Sequence, residues 1–138
     1  MTPRASLPLL ALVVVGGCAA APGLSREEGT LPPGQWGGDQ IALEISADGS
    51  GHVELSCGSA DFAGPVKVGL GGHFLTTGRY VRGTGVATME PPASVPANIS
   101  GRLDRGGILW LDIAVRDAYP VRSARLQRGV EPKLLRCL

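Results

Sequence analysis

Apolar and polar residues alternate along most of this chain, and this alternation restricts the folds that the chain can adopt. The clearest run lies at residues 108–115. Its alternating apolar residues are Leu109, Leu111, Ile113 and Val115. Period-two alternation places successive side chains on opposite faces of an extended backbone. The run therefore predicts a β-strand with one buried face and one exposed face.

Similar runs recur along the chain at residues 41–45, 53–57, 97–103 and 124–126. Glycine-containing turns such as Asp48-Gly49 separate them, since glycine adopts positive φ at little cost. We also predict strands at residues 66–70, 74–80 and 135–137, and a long loop at residues 82–96, which are rich in glycine and proline. Seven or eight short strands without a helix predict an all-β domain, either an antiparallel barrel or a sandwich.

The amino terminus has a different character from the rest of the chain. Arg4 precedes an apolar run of about a dozen residues that is too short to cross a hydrocarbon layer of about 30 Å as a helix. The run therefore predicts a secretory signal peptide. One interpretation is an ordinary signal peptide, which would be cleaved after Ala19, Ala20 or Ala21.

The signal ends in Val15-Gly16-Gly17-Cys18, which resembles the lipobox of bacterial lipoproteins. The resemblance implies cleavage between Gly17 and Cys18. It also implies a diacylglyceryl group on the Cys18 thiol and a fatty acyl group such as palmitate on the new amino terminus. Two or more acyl chains hold a protein stably at a membrane. In this family, Asp after the cysteine favours the inner membrane. Ala19 therefore implies the outer membrane, with the domain facing the periplasm.

The sequence therefore divides into three parts. Residues 1–17 form the signal peptide, residues 18–34 a flexible tether of small, charged, proline and glycine residues, and residues 35–138 the β domain. Loss of the signal removes one basic residue, Arg4, and no acidic one, so 12 basic and 12 acidic residues remain. This balance argues against a nucleic-acid partner, which normally requires a marked basic excess.

The cysteine count predicts a disulfide bond. If Cys18 carries lipid, Cys57 and Cys137 remain, and an even pair in an exported protein indicates a bridge. Alternation places both cysteines on inward faces, so we expect the bridge to join the second strand to the last. The alternative is a pair of buried free thiols. Neither cysteine has a CxxC spacing or a nearby histidine, so we expect no metal site.

The start of the β domain favours a barrel over a sandwich. Gly34-Gln35-Trp36 is similar to the Gly-x-Trp of the first strand in lipocalin-like barrels, where the tryptophan plugs one end. The domain also looks similar to small uncharacterised envelope lipoproteins that begin with Trp-Gly-Gly and end with Cys-Leu. The first resemblance implies that Trp36 packs in the core or marks a ligand barrel whose far end is open. The second family carries no activity to transfer.

No catalytic set is evident. His52 and His73 are predicted to be solvent-exposed, and neither has the sequence context of a general base. Arg122 shares the predicted inward face of Leu126, where it could bind an anionic ligand at the barrel mouth, but we expect instead that the strand begins after it. Trp110 is predicted to face outward, either as a contact surface or, as we expect, beneath the loop at residues 82–96.

The sequence therefore predicts a membrane-anchored envelope lipoprotein that binds without catalysing a reaction and holds no cofactor. Its ligand would be a small apolar molecule inside the barrel or an envelope protein outside it. A hydrolase and a passive structural component are the alternatives. A pocket that joins a histidine to an acid and a hydroxyl would favour the hydrolase.

Overall fold

A computed structural model describes residues 29–87, 89–115 and 120–137. Ten strands occur within these ranges. They are β1 (Gly29–Thr30), β2 (Gly34–Gly38), β3 (Ile41–Ile45), β4 (Gly51–Leu55), β5 (Gly58–Phe62), β6 (Lys67–Val68), β7 (His73–Arg82), β8 (Ser94–Leu103), β9 (Ile108–Val115) and β10 (Pro120–Arg128). A 3₁₀ turn at Leu70–Gly72 precedes β7. Within the same ranges, no helix has the length and apolar character needed to span a membrane.

Eight of these strands close into one antiparallel barrel in the order β10-β2-β3-β4-β5-β7-β8-β9. Within the ring, each strand pairs with the ring strand that follows it along the chain, β5 pairing with β7. The pairing of β10 with β2 completes the ring. The prediction of an all-β barrel is confirmed. Closure leaves no unpaired strand edge in the ring, which an open sandwich would have to protect.

The barrel interior is filled by side chains that the strands contribute from their inward faces. Ile41, Leu43, Val53, Ile99 and Leu109 lie in a single buried cluster to which all eight strands contribute. A barrel of eight strands encloses a space just wide enough for side chains to fill. Alternation identified most of the core, since the inward aliphatic residues of β3, β4, β8 and β9 are buried as predicted except for Leu55 and Val115, which are half-buried.

A small second sheet covers the barrel end at which β2 begins. Strand β1 pairs with β6, and the amide of Leu31 donates to the carbonyl of Val66 over 3.0 Å. Leu31, Val66 and Val68 are buried in the same cluster as the barrel interior. Residues 29–34, which the sequence assigns to the tether, thus contribute to the fold and close this end.

Several strand predictions differ from the structure. In the predicted strand at residues 66–70, only Lys67–Val68 is extended, and Leu70 lies in the 3₁₀ turn with 71% of its surface exposed. The sequence also does not predict β1, which lies within the expected tether, or β5, whose inward residues are only Ala60 and Phe62. Gly51 makes β5 possible, since a Cβ at that position would overlap the Phe62 ring. The predicted loop is also shorter, because β8 begins at Ser94.

Candidate functional site

Cys57 and Cys137 lie within disulfide-bonding distance, with Cα atoms 5.1 Å apart, as the cysteine count predicts. Their location differs from the prediction. Strand β4 ends at Leu55, so Cys57 lies in the following turn and is exposed, not on an inward face. Cys137 belongs to the segment after β10, where the predicted strand at residues 135–137 does not form. The bridge therefore fastens this carboxyl-terminal segment to the end of the barrel.

Residues 129–137, here called the C-terminal strap, run along the outside of β2 and then across the barrel end. The backbone of Lys133 accepts from the amide of Gln40 and donates to the carbonyl of Gly38, at 2.9 and 3.2 Å. Further along, the amide of Leu135 donates to the hydroxyl of Ser56 at 3.0 Å. The strap thus contacts two successive turns before it reaches the disulfide.

Gly37 explains how the strap can lie against the barrel wall. A Cβ at this position would overlap the carbonyl oxygen of Val130 and would lie 2.9 Å from the backbone nitrogen of Pro132. Because only glycine permits this approach, the Trp-Gly-Gly sequence serves two purposes. The side chain of Trp36 packs in the core, and Gly37 leaves room for the strap backbone on the outward face of β2.

Trp36 is a core residue with a cation above its ring. Its side chain is 3% exposed, and the indole Nε1 has no hydrogen-bond partner among the described residues. The guanidinium carbon of Arg128 lies 5.9 Å from the ring centroid, within reach of a cation–π interaction. Arg128 also donates to the carbonyl of Pro33. Trp36 is therefore enclosed by its own chain.

Two predicted sites fall partly or wholly outside the described part of the chain. Strand β10 begins at Pro120 and the backbone of Arg122 pairs with Ile113, so the expectation that the strand begins after Arg122 is wrong. The side chain of Arg122 is not among those described. Cys18 also lies outside the described residues.

An outward-facing row on β3, β4 and β5 combines two carboxylates with a histidine. Glu44 and His52 are cross-strand neighbours, as are His52 and Asp61. The Nδ1 atom of His52 lies 2.5 Å from Oδ1 of Asp61, and the two side chains are 51% and 65% exposed. Glu54 lies on the same outward face of β4.

Glu44 and His52 of this row, together with Glu54, form the floor of a groove, here called the acidic groove, and Asp61 lies beside it in the same row. Its walls consist of residues 129–132 of the strap on one side and residues 83, 84, 86 and 90–93 on the other. The strap side encloses about 390 Å³. Carboxylates of Glu90 and Glu131 lie in the walls, and the exposed side chains of Val86 and Val130 make the walls partly apolar. Arg82 is a basic residue of the loop wall.

The groove brings a histidine, acids and hydroxyls together, as the hydrolase alternative requires. Ser59 and Thr84 line the concavity beside His52. However, among the hydrogen bonds of the described residues, none joins a hydroxyl to His52, and Thr84 donates to the carbonyl of Val86 at 3.2 Å. His52 is therefore in contact with Asp61, but no hydroxyl group of the described residues is hydrogen-bonded to its ring.

The opposite side of the barrel presents a surface with a tryptophan between two arginines, here called the Trp110 face. A straight cross-strand row joins Arg102 on β8, Trp110 on β9 and Arg125 on β10. Trp110 is 43% exposed and lies between two shallow concavities. Asp112 lines both concavities beside Trp110, and its carboxylate accepts from the hydroxyl of Ser123. Leu75 is exposed in the neighbouring row on β7, and His73 lies beside Arg102. The expectation that the long loop covers Trp110 is wrong, since the loop lines the groove beside β4 and β5.

The two surfaces contain residues that sequence analysis did not single out. Alternation already placed Arg102, Arg125, Glu44 and Glu54 on outward faces. Which of them are neighbours depends on strand register and on barrel closure, and neither can be read from alternation. Register is what brings the two arginines to either side of Trp110.

Comparison with known proteins gives no relative: no protein-family model, curated protein or solved structure matches this chain. The described residues also contain no group of three or more His, Cys, Asp or Glu side chains arranged to hold a metal ion.

Proposed function

We propose that this chain is a lipoprotein of the bacterial envelope that binds a protein partner on its outer surface without catalysing a reaction. Its lipid is attached at Cys18, and the barrel faces the periplasm from the outer membrane. The observation that carries the proposal is the contrast between a filled interior and the exposed Trp110 between two arginines. The lipobox resemblance of residues 15–18 supports the anchor.

A protein partner suits the chemistry of the Trp110 face. Tryptophan and arginine are the residue types most enriched among those that dominate protein–protein binding energy. Leu75, exposed in the next row, extends the apolar surface. A small apolar ligand would instead need an internal cavity of a few hundred Å³. The concavities at the acidic groove and at the Trp110 face are lined mostly by outward-facing residues, and the buried inward-facing side chains form one packed cluster.

Affinity capture from the solubilised envelope tests the binding role. The full chain is compared with Trp110→Ala and with the matched control Thr77→Ala, which changes an exposed residue of β7 outside the Trp110 face. We expect Trp110→Ala to lose a captured protein that the wild type and the control retain. Equal capture by all three would remove the Trp110 face from the proposal.

Intact-mass analysis of the membrane fraction tests the anchor. Wild-type protein is expected to begin at residue 18 and to carry acyl groups. The Cys18→Ser variant is expected to remain unprocessed or to become soluble. Cleavage and membrane attachment of that variant would contradict a lipid anchor at Cys18.

The hydrolase alternative is supported by one observation, the His52–Asp61 contact beside Ser59. A general base needs the proton it abstracts within hydrogen-bond reach. Activity-based labelling of the envelope protein with a serine-reactive fluorophosphonate distinguishes the two functions. We expect no labelling, whereas labelling that disappears in both Ser59→Ala and His52→Ala would establish an enzyme.

A further inference from the structure

We infer that the Trp110 face of one copy of this chain docks into the acidic groove of a second copy. The inference rests on the proposed function, because it names the partner that the same outer surface would bind. It follows from the placement, spacing and charge of the two surfaces.

The two surfaces lie on opposite sides of the barrel. In the ring of eight strands, β4 and β9 are four strands apart in either direction. His52 lies on β4, at the centre of the groove floor, and Trp110 lies on β9, at the centre of the opposite row. One copy can therefore present its Trp110 face to a neighbour while its own groove remains open for another.

The spacing of charges matches across the two surfaces. Arg102 and Arg125 lie on the two strands adjacent to that of Trp110, just as Glu44 and Asp61 lie on the two strands adjacent to that of His52. Neighbouring strands are about 4.8 Å apart, so each pair of like charges spans roughly 10 Å. Facing each other, the rows place each guanidinium opposite a carboxylate and the Trp110 ring opposite the imidazole.

Of the charges that would pair, those of Arg102, Arg125 and Glu44 are available in the single copy, and Asp61 uses only its Oδ1 atom for the contact with His52. Within the described residues, no hydrogen bond or ion pair occupies the guanidinium groups of Arg102 and Arg125, or the carboxylates of Glu44 and Glu54. Asp61 holds His52, and Arg79 beside it is held by the hydroxyl and carbonyl of Ser94 at 2.7 and 2.8 Å. Complementary charges of this kind steer encounter and fix register.

The apolar parts also match. Trp110 is a projecting ring between two shallow concavities, and the groove is a depression with partly apolar walls. Val130 and Pro132 of the strap wall would contact the ring on one side of the groove. An aromatic side chain in a pocket rimmed by charged residues is the arrangement expected of an interface centre.

Contact between two different surfaces does not close on itself when they lie on opposite sides of the molecule. Such a heterologous contact generates an open row of copies. Copies anchored to one membrane would therefore associate side by side in a row.

Co-purification of charge-reversed variants tests the inference. Two full-length chains that carry different affinity tags are expressed together, and the amount of one chain that co-purifies with the other is measured. In the first variant, Arg102→Glu and Arg125→Glu reverse the Trp110 face. In the second, Glu44→Arg and Glu54→Arg reverse the groove. Like charges then face each other, so either variant expressed alone in both tagged forms should co-purify with itself at least about tenfold less than the wild type does. The two variants expressed together should co-purify at the wild-type level, since each reversed surface meets a reversed partner.

A photocrosslinker makes the test independent of charge reversal. Trp110→p-benzoylphenylalanine in an otherwise wild-type chain is expected to crosslink to the groove residues of a second copy in the intact envelope. The same substitution at Thr77 is the matched control and should give no such product. A crosslink to a different protein, or variants that fail to restore each other while keeping the wild-type unfolding temperature, would overturn self-association and leave the proposed function standing. No crosslink to any protein would contradict both.

Discussion

The inside and the outside of this barrel differ in how evenly their residues are distributed. Inward positions are mostly apolar, with the half-buried Thr76 of β7 as an exception, and all eight strands contribute to one continuous cluster. Outward charges are unevenly distributed, with three carboxylates and a histidine on β3 to β5, and two arginines around a tryptophan on β8 to β10, where Asp112 adds one carboxylate. The requirements of folding explain the mostly apolar interior. They do not require the outward charges to be unevenly distributed, which is why we place the function on the outer surface.

The largest expected effect is a difference in the free energy of unfolding between an inward substitution on β9 and an outward substitution on the neighbouring strand β8. Leu111→Ala removes a side chain that is 2% exposed inside the barrel, and we expect a loss of about 2–5 kcal/mol in the free energy of unfolding because a cavity remains. Arg102→Ala, on the outward face of the neighbouring strand, should change it by no more than about 0.5 kcal/mol. Urea unfolding of both variants measures the difference. Similar losses would contradict the division into a structural interior and a functional exterior.

A slightly smaller effect is expected from the bridge that fastens the strap. The disulfide closes a loop with a sequence separation of 80 residues, for which the chain-entropy model gives at most about 4.5 kcal/mol. The double variant Cys57→Ser, Cys137→Ser should therefore unfold at a lower temperature than the wild type. Reductant should lower the wild-type temperature to that of the variant and leave the variant unchanged. Insensitivity of the wild type to reductant would show that the bridge does not form.

The contact between strap and barrel can be tested at the glycine that permits it. Gly37→Ala places a methyl group where the carbonyl oxygen of Val130 lies, and we expect a cost of about 1–3 kcal/mol as the strap shifts. Gly69→Ala is the control, since a Cβ there has the carbonyl oxygen of His73 as its nearest neighbour at 3.8 Å. Limited trypsin digestion at Lys133 should accelerate only in Gly37→Ala. Equal digestion rates in both variants would show that the strap does not depend on this close approach.

The smallest effect concerns pH and a turn. The Ser50 hydroxyl and then its amide donate to Asp48, at 2.6 and 2.9 Å, and these hydrogen bonds lower the pKa of Asp48 below its usual 3.8. A carboxyl with a lowered folded pKa contributes stability that is complete above the unfolded pKa and is lost as pH falls through the folded pKa. We expect wild type to be more stable than Asp48→Ala near pH 6, with the difference decreasing below about pH 4.

Ser50→Ala provides the control for that measurement, because it removes the hydroxyl that contributes most to the lowered pKa of Asp48. This variant should show a weaker acid dependence than the wild type. An unchanged dependence would assign the effect to another group.

Much of the fold could be predicted because the core of a small barrel depends on alternation. The inward faces of β3, β8 and β9 were recognised from their aliphatic residues alone. Strand β5 was missed, since its inward residues are an alanine and one phenylalanine whose ring occupies the space above Gly51 on the next strand. That packing depends on a cross-strand neighbour and leaves no periodic signal in β5 itself.

The surfaces were harder to predict because they depend on register and on where strands end. Cys57 was assigned an inward face by extending the alternation of β4 two residues beyond its end at Leu55. Trp110 was correctly placed outward, but its two arginine neighbours come from strands on either side. Only the closed ring reveals that the acidic groove and the Trp110 face are opposite each other.

Native mass spectrometry of the full chain, released gently from the envelope, tests most directly whether binding occurs outside a filled barrel. We predict a complex whose mass equals the acylated chain plus one or more protein subunits, and which dissociates to the acylated chain alone when Trp110 is replaced by Ala. A single chain carrying a small apolar molecule, unaffected by Trp110→Ala, would contradict the account.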